Sequence, residues 1–259
     1  MAEELPPRIL IATPVKNAVA HLPRYFDLLQ RIDHDPARIA LGFLESDSTD
    51  GTYGAIADRL DALRRRHPRV TLLRHDFGFH PTVPRGSPEI QRRRRSILAR
   101  ARNRLIAGAL QDEEWVLWLD ADLVDYPADL PARLIAAEKS VVVPLCVRPD
   151  GTVFDMNTFC IEPPGRREDR RHLRDGILQP PPGTGRRYLD GLGDRALVPV
   201  DGVGGTVLLV RADLHREGLN FPAFSLNGYI ETEGLAQMAR AMGVQAWGMP
   251  GVRVVHAAT

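Results

Sequence analysis

Residues 115 to 122 read Trp-Val-Leu-Trp-Leu-Asp-Ala-Asp. The run Trp115 to Leu119 is apolar without alternation, as expected of a strand buried on both faces in a parallel sheet. It closes on two carboxylates, Asp120 and Asp122, and Pro127 follows shortly after. In such sheets ligands sit beyond the C-terminal ends of the strands. If the backbone stays extended past Leu119, residues two apart point the same way, so Asp120 and Asp122 face one site. Two close carboxylates repel, and a hard divalent cation held by oxygen ligands relieves that repulsion. The competing reading is an acidic loop in solvent, because a bare Asp-x-Asp is common.

The segments around this run repeat one unit. Arg8 to Thr13 reads as a short strand closed by Pro14, and Leu22, Tyr25, Phe26, Leu29 and Ile32 then recur at helical spacing. Ile39 to Leu44 is a second strand, ending in Glu45-Ser-Asp-Ser-Thr-Asp-Gly-Thr52. A helix carrying Tyr53, Ile56, Leu60 and Leu63 follows, with Asp50 or Thr52 as its N-cap. Val70 to Leu73 is a third strand. The proline-rich stretch 79–91 reads as a loop, and a helix is expected from Arg93 to Leu110 with Ile97, Ala101 and Leu105 on one face. Leu130, Leu134 and Ile135 fit a helix, and Val141 to Pro144 opens a further strand. This alternation predicts an α/β chain with a doubly wound, mostly parallel central sheet.

After residue 145 the pattern changes. Residues 163–195, rich in Pro, Gly, Arg and Asp, read either as an excursion over the sheet, partly disordered without ligand, or as a surface linker. Leu197 to Val200 and Val207 to Val210 are expected strands, a helix is expected around Leu235 to Met242, and two short strands, Val244 to Trp247 and Val252 to His256, close the chain. The expected organisation is one domain over 1–259, with residues 1–145 binding nucleotide and 146–259 binding acceptor.

Composition excludes several classes. The formal net charge is +1, so no global field argues for nucleic acid, although Arg92 to Arg95 and Arg166 to Arg174 are locally basic. A nucleic-acid reading of these runs predicts polyanion affinity that falls steeply with salt. Two cysteines, Cys146 and Cys160, do not make a disulfide scaffold. The first residues lack a signal-peptide pattern and no apolar run is long enough to span a membrane, so a soluble cytoplasmic protein is expected, with peripheral membrane contact compatible with the basic insert. No dinucleotide fingerprint, P-loop or nucleophile elbow is present. What remains is a set of carboxylates at strand ends: Glu45, Asp47 and Asp50 after one strand, Asp120 and Asp122 after another. One strand end could hold a nucleotide's base and ribose, and a metal at the other its diphosphate. A nucleotidyltransferase would need a glycine- and basic-rich phosphate loop that Pro14-Val-Lys-Asn17 does not supply.

Pro14 to Asn17, Ser46 to Thr52, Ala101-Arg-Asn103 and Trp118 to Asp122 resemble a GT-A glycosyltransferase. Gly42 to Thr52, His75-Asp-Phe-Gly78, Trp115 to Asp122, Asp155-Met-Asn157, Asp201 to Thr206, Glu231-Thr-Glu-Gly234 and Val255-His256 narrow the resemblance to the glycosyltransferase family 62 α-mannosyltransferases of the fungal Golgi mannan polymerase complexes. The Golgi enzymes carry an N-terminal anchor and stem that this sequence is not expected to have, and the arginine-rich stretch 163–195 departs from the family pattern. The resemblance implies a GT-A fold, Rossmann-like, with a small mixed C-terminal sheet part. It implies a retaining, metal-dependent hexosyltransferase using a nucleotide sugar, GDP-mannose foremost. The rival readings are a UDP-sugar donor and a non-catalytic partner subunit. The acceptor stays open among glycan, glycolipid, protein and small molecule.

The resemblance also implies roles. Asp120, Asp122 and the C-terminal His256 hold Mn²⁺ (or Mg²⁺). Asp47 accepts hydrogen bonds from base or ribose, in a pocket shared with Pro14, Lys16, Asn17, Glu45 and Ala121. Arg102 and Arg95, with Asn103, are the expected diphosphate contacts, since a guanidinium grips such anions in a fork. Gly204 and Gly205 let backbone approach the sugar. Asp155, Asn157, Glu231 and Glu233 are expected on the sugar and acceptor side, with Glu231 or Glu233 positioning the acceptor hydroxyl. Helix capping is the rival role for Glu233.

Overall fold

The computed structural model describes residues 5–163, 168–193 and 195–258. The first residues read for a targeting signal, and Arg166, Arg167 and Asp194 of the arginine-rich stretch, lie outside them. The chain begins β1 (Ile9–Val15), α1 (Leu22–Gln30), β2 (Ile39–Glu45), α2 (Thr52–Ala57), α3 (Leu60–Arg64), β3 (Val70–Arg74), α4 (Gln91–Ala109) and β4 (Trp115–Leu119). It continues through β5 (Leu123–Asp125), α5 (Leu130–Ile135), β6 (Val141–Val147), β7 (Phe159–Ile161), β8 (Leu173–Arg174), β9 (Ile177–Leu178) and β10 (Arg186–Tyr188). It ends with β11 (Val198–Val200), β12 (Val207–Arg211), α6 (Ala212–Arg216), α7 (Glu231–Ala241) and β13 (Ala246–His256).

Among the described residues the main sheet has nine strands, in the order β11-β13-β6-β12-β4-β1-β2-β3, with β5 added on β13. The block β4-β1-β2-β3 is parallel. β1, β2 and β4 are buried on both faces, and alternate residues feed different cores: Ile9 and Ile11 pack on one side of β1, Leu10 and Ala12 on the other. That is why these strands read as unbroken apolar runs. The first face is covered by α1 through Tyr25, Phe26 and Leu29, the second by α4 through Ala101, Leu105 and Ala109.

β12 runs antiparallel to both β4 and β6, so the sheet is mixed at its centre. β11, β12 and β13 are continuous with the main sheet and make its C-terminal part mixed, as expected. The two closing strands expected from the sequence are one, β13, whose pairing with β6 slips between Met249 and Arg253. Pro250 lies in that slip; lacking an N–H, it breaks the ladder without ending the extended chain. The single helix expected after Thr52 is two, α2 and α3. Asp50 does not cap it by the standard geometry: Gly51, left-handed at φ 86°, precedes α2, and Asp50 Oδ1 accepts from Thr52 N at 3.0 Å to form the turn.

The arginine-rich excursion has structure in its described part. β8 and β9 form a small hairpin, and β10 pairs antiparallel with β7. Among the described residues no helix is long and apolar enough to cross a membrane.

Because β1 pairs with β2 on one side and β4 on the other, the chain reverses its direction of travel across the sheet between β1 and β4. A crevice forms at the C-terminal ends of strands at such a reversal.

Candidate active site

That crevice is a cavity of about 460 Å³. β1 supplies Pro14 and Val15, with Lys16 and Asn17 beyond it; the turn after β4 supplies Asp120, Ala121 and Asp122; α4 supplies Arg94, Ile97, Leu98, Ala101 and Arg102. The α4 positions are spaced three and four apart, one helix face. Phe79, Pro81, Val83 and Arg85 line the cavity as well, as do Ala257 and Ala258 after β13.

Asp120 and Asp122 reach the cavity by a different route from the one expected. The chain leaves extended geometry at Asp120 and turns through Ala121 and Asp122 before β5. A turn presents three consecutive residues to one side, which is why Ala121 lines the cavity as well. The turn is fixed by Asp120 N donating to Thr206 O at 2.9 Å and Ala257 N to Asp122 O at 2.9 Å. Burial pushes the Asp120 carboxyl up to about 7, with Arg102 opposing and Asp122 adding to the shift. For Asp122 burial acts upward too, but the His256 contact and charge and the Arg85 charge outweigh it, holding the group below the usual carboxylate range.

His256 is the last residue of β13. Its register against Leu123 carries it under the turn, where Nε2 lies 2.9 Å from Asp122 Oδ1. The contact lacks hydrogen-bond geometry, so the buried Nε2 has no hydrogen-bond partner. Phe154 stacks on the imidazole with ring centroids 3.6 Å apart. Burial disfavours the charged imidazole, but Asp122 more than compensates and raises its pKa.

The carboxylates at the end of β2 and just after it do not line the cavity. Glu45 accepts from Ser48 N at 2.9 Å and pairs with Arg74. Asp47, left-handed at φ 55°, accepts from Phe77 N and Gly78 N at 2.7 and 2.9 Å. Its other oxygen is buried without a hydrogen-bond partner, 4.0 Å from Lys16 Nζ. Asp47, Asp76 and His80 also converge, with ligand atoms within 4.8 Å of one another. Asp76 and His80 are exposed, and one Asp47 oxygen is already engaged by two backbone donors. Asp120 and Asp122, half-buried, line the cavity itself with His256 behind Asp122, but the ligand atoms of these three do not all lie within 4.8 Å of one another as those of Asp47, Asp76 and His80 do. Asn17 ties the two loops by accepting from Thr49 N at 2.8 Å and donating its backbone N–H to Ser48 Oγ.

Along α4 the expected arginines part. Arg102 faces the cavity: Nε donates to Glu231 Oε1 at 3.0 Å and Nη2 to Gly205 O at 3.2 Å, with Asp120 Oδ1 at 3.5 Å. Its Nη1 is buried with no hydrogen-bond partner among the described residues. A Cβ at Gly205 would collide with Arg102 Nη2 and lie 2.9 Å from Thr232 Cγ2, so any larger residue there must displace the guanidinium. Arg95 is turned toward α7 instead, donating to Ile230 O at 2.9 Å and pairing with Glu233 at 3.1 Å. The side chain that shares the cavity with Arg102 is Arg94, eight residues earlier, which sequence reasoning passed over. A seven-residue step returns a helix more nearly to the same face than an eight-residue step, so spacing along α4 gave no signal for Arg94. Burial pulls the Arg94 guanidinium down to about 10, with Arg85 and Arg95 adding to the shift. Its hydrogen bond is a long one, 3.4 Å to Gln91 Oε1. Asn103 clamps the chain at Phe221 through both its amide atoms and does not line the cavity.

The side chains expected on the acceptor side also separate. Glu231 opens α7 with a left-handed φ of 56° and both oxygens engaged, by Arg102 and by Thr232 Oγ1. Glu233 lies in a buried network. Arg186 donates Nη1 to Glu233 at 2.8 Å and forks onto Glu168 at 2.7 and 3.0 Å, and Tyr229 Oη donates to the same Glu168. The capping role for Glu233 does not describe this arrangement. Asp155 accepts from Asn157 N at 3.1 Å, and burial raises its pKa. A side chain at Gly204 would overlap the Asp155 carboxylate.

The sequence model of the Anp1 family matches residues 1–225. The chain is 31% identical over 96% of its length to the mannan polymerase II complex anp1 subunit of Schizosaccharomyces pombe, of which it covers 64%. It is likewise 31% identical to the mannan polymerase complex subunit MNN9 of Candida albicans, covering 74% of that protein. It is 30% identical to the mannan polymerase II complex ANP1 subunit of Saccharomyces cerevisiae, covering 55%. Thus the chain spans roughly half to three quarters of these relatives. Among solved structures it is similar to the mannosyltransferase PcManGT from Pyrobaculum calidifontis in complex with GDP-Man and Mn²⁺, with a TM-score of 0.58, 20% identity, and coverage of 98% of this chain and 57% of that one. It is also similar to GalNAc-T7 with UDP, GalNAc and Mn²⁺, with a TM-score of 0.56, 14% identity, and coverage of 99% and 44%. At these identities the structural likeness establishes the fold, which is GT-A. A mixed α/β sheet with its crevice at the β1/β4 reversal, an Asp-x-Asp turn on that crevice and this sequence kinship lead to one assignment: the chain belongs to the Anp1 family, that of the mannan-polymerase-type glycosyltransferases.

Proposed function

We propose that the protein is a metal-dependent retaining hexosyltransferase that moves α-mannose from GDP-mannose to a hydroxyl acceptor. The observation that carries this reading is the shared wall of the cavity. The Asp120–Asp122 turn lines the same cavity as two guanidiniums, Arg94 and Arg102, of which the second lies 3.5 Å from Asp120 and keeps a buried N–H group without a hydrogen-bond partner among the described residues. An orphaned buried donor is costly unless an anion meets it, and a diphosphate does so. The PcManGT complex with GDP-Man and Mn²⁺ supports the choice of donor and ion.

The donor set at the turn fits a divalent cation. Asp120 and Asp122 offer oxygens and His256 a buried ring nitrogen with no hydrogen-bond partner; an imidazole in the set suits Mn²⁺ better than Mg²⁺. When bound, the ion supplies charge neutralisation on the leaving diphosphate. Arg94 and Arg102 grip the same diphosphate and orient it. Glu231 acts behind Arg102, fixing the guanidinium by the bond to Nε. Lys16, Asn17 and the Asp47 loop form the nucleoside end. Asp155, held against Gly204 and made a weaker acid by burial, is the carboxyl assigned to the sugar end, together with Asn157. In this reading residues 1–145 bind the donor and most of 146–259 serve the acceptor, with His256 returning to the donor side.

A second reading is a non-catalytic partner subunit, favoured by relatives named as subunits of complexes. Calorimetric titration of GDP and of UDP, each with Mn²⁺ and with chelator, tests the proposal. Mn²⁺-dependent binding of GDP in preference to UDP is expected. Preference for UDP would overturn the donor, and binding of neither by folded protein would favour the non-catalytic subunit.

A further inference from the structure

The part of the cavity lining formed by Phe79, Pro81, Val83 and Arg85 belongs to a segment with little internal support. Among the described residues it makes no backbone–backbone hydrogen bond between Phe79 and Val83, and Pro81 and Pro84 have no N–H to give. Lys16 Nζ holds it through Phe79 O; at its flanks Arg93 Nη2 donates to Gly78 O, and the turn that carries Arg85 is closed by Ser87 N donating to Pro84 O at 2.9 Å and Gln91 Nε2 to Arg85 O at 2.7 Å. Segments supported in this way open at low cost. The segment carries one cation into the cavity, Arg85. Its Nη1 lies 3.8 Å from Asp122 Oδ2, and the side chain is 56% exposed. Asp122 Oδ1 is the oxygen that meets His256. The guanidinium thus stands at the remaining oxygen of a carboxylate assigned above to a metal ion, on the same cavity as Arg94 and Arg102.

Two cations cannot share that oxygen cheaply. An ion arriving at Asp122 repels Arg85, whereas a diphosphate arriving with it attracts Arg85. We propose that Arg85 is an exchange residue: it neutralises Asp122 in the free protein and transfers to the diphosphate of a nucleoside diphosphate when metal and nucleotide bind, bringing the 79–91 segment over the donor. This rests on the donor reading given under Proposed function. No bond is made or broken; one ion pair replaces another. The consequence is a pair of effects of opposite sign. Arg85 opposes metal binding alone and favours nucleotide binding once metal is present.

The test uses the full chain as wild type, R85A and R85K. Mn²⁺ affinity without nucleotide is read from the EPR signal of the free ion, then GDP affinity at saturating Mn²⁺ by calorimetry. For an ion pair this exposed, R85A is expected to bind Mn²⁺ alone about two- to fivefold more tightly. It is expected to bind GDP with Mn²⁺ roughly tenfold more weakly, the scale of one hydrogen bond to a charged group. R85K, which keeps the charge without the fork, should fall between. If both affinities match wild type, or both fall together, the exchange is refuted, since a lining or purely structural residue would behave so. If wild type binds Mn²⁺ but neither GDP nor UDP, the donor reading fails and takes this inference with it. Wild type that binds GDP while R85A shows no opposed shift refutes the exchange alone.

Discussion

Replacing Glu233 by alanine separates a structural from an acceptor-binding role for the side chain that the sequence placed at the acceptor. Four charges meet at this point, Arg95 and Arg186 against Glu168 and Glu233. The Glu233 side chain is 1% exposed and the Arg186 side chain 7%. In wild type the two cations and two anions balance. Without Glu233, two buried guanidiniums are left with Glu168 alone. Breaking a buried pair from one side costs about 3–5 kcal/mol, mostly because the surviving charge stays desolvated. In a chain of this size each kcal/mol lowers the melting temperature by about 2–4 °C, so Glu233→Ala should melt about 6–20 °C lower. Glu233→Gln keeps the shape and one acceptor oxygen and should lose less. The assay is calorimetric melting, with Arg186→Ala and the Glu233→Ala/Arg186→Ala double variant closing a cycle. The double variant should cost clearly less than the sum of the singles, because the second removal takes away a charge the first left unpaired. If Glu233→Ala melts within 2 °C of wild type, binds donor and has lost transfer, the reasoning from the network is refuted and the acceptor role is restored.

Arg94→Ala should weaken GDP binding in the presence of Mn²⁺ by about 10- to 100-fold, the cost of a charge-assisted contact, with melting nearly unchanged; equal GDP affinity in a calorimetric titration would remove Arg94 from the diphosphate site. His256→Ala should weaken Mn²⁺ binding at least about tenfold while leaving Mg²⁺ less affected, read by competition against a metal indicator, since the imidazole is the ligand that favours Mn²⁺; equal losses for both ions would count against the ligand role. Burial holds His215 below the ordinary imidazole value, against the Leu219 carbonyl bond, and does the same to His67. Their neutral forms are therefore native: stability is full above about pH 6.5 and falls as pH drops below it, because the unfolded chain takes up protons the folded one refuses. Each such group contributes up to about 1.4 kcal/mol per pH unit, so His215→Gln should flatten the fall in melting temperature between pH 6.5 and 5, and an unchanged slope would contradict this.

The parallel half of the fold was legible because its signal is local. Ile9 to Ala12, Ile39 to Leu44 and Trp115 to Leu119 are buried on both faces and carry no polar residue at any position, while α4 shows its buried side through Ala101 and Leu105 at four-residue spacing. Asp120 and Asp122 were legible as a pair for the same reason, although the turn that aims them needs Thr206 and Ala257, 86 and 135 residues away in sequence from the groups they bond. What could not be read was pairing at long range. Glu233 and Arg186 are 47 residues apart and Arg95 and Ile230 are 135 apart, and neither arginine differs from its neighbours in composition. A one-residue step along α4 decides whether Arg94 or Arg95 meets the cavity, and that step depends on where α7 packs. The antiparallel insertion of β12 between β4 and β6 is likewise a property of the returning chain, not of Val207 to Val210 as a segment.

The most direct test of the central claim is to follow GDP-mannose by proton NMR of its anomeric signal, with the folded protein, Mn²⁺ and a set of mannose-terminated hydroxyl acceptors. Loss of the donor signal with appearance of a new α-anomeric signal, abolished by chelator and by Asp122→Asn, is the predicted result. Donor that stays intact with every acceptor, under conditions where GDP and Mn²⁺ bind, would contradict it and mark the chain as a donor-binding subunit without turnover.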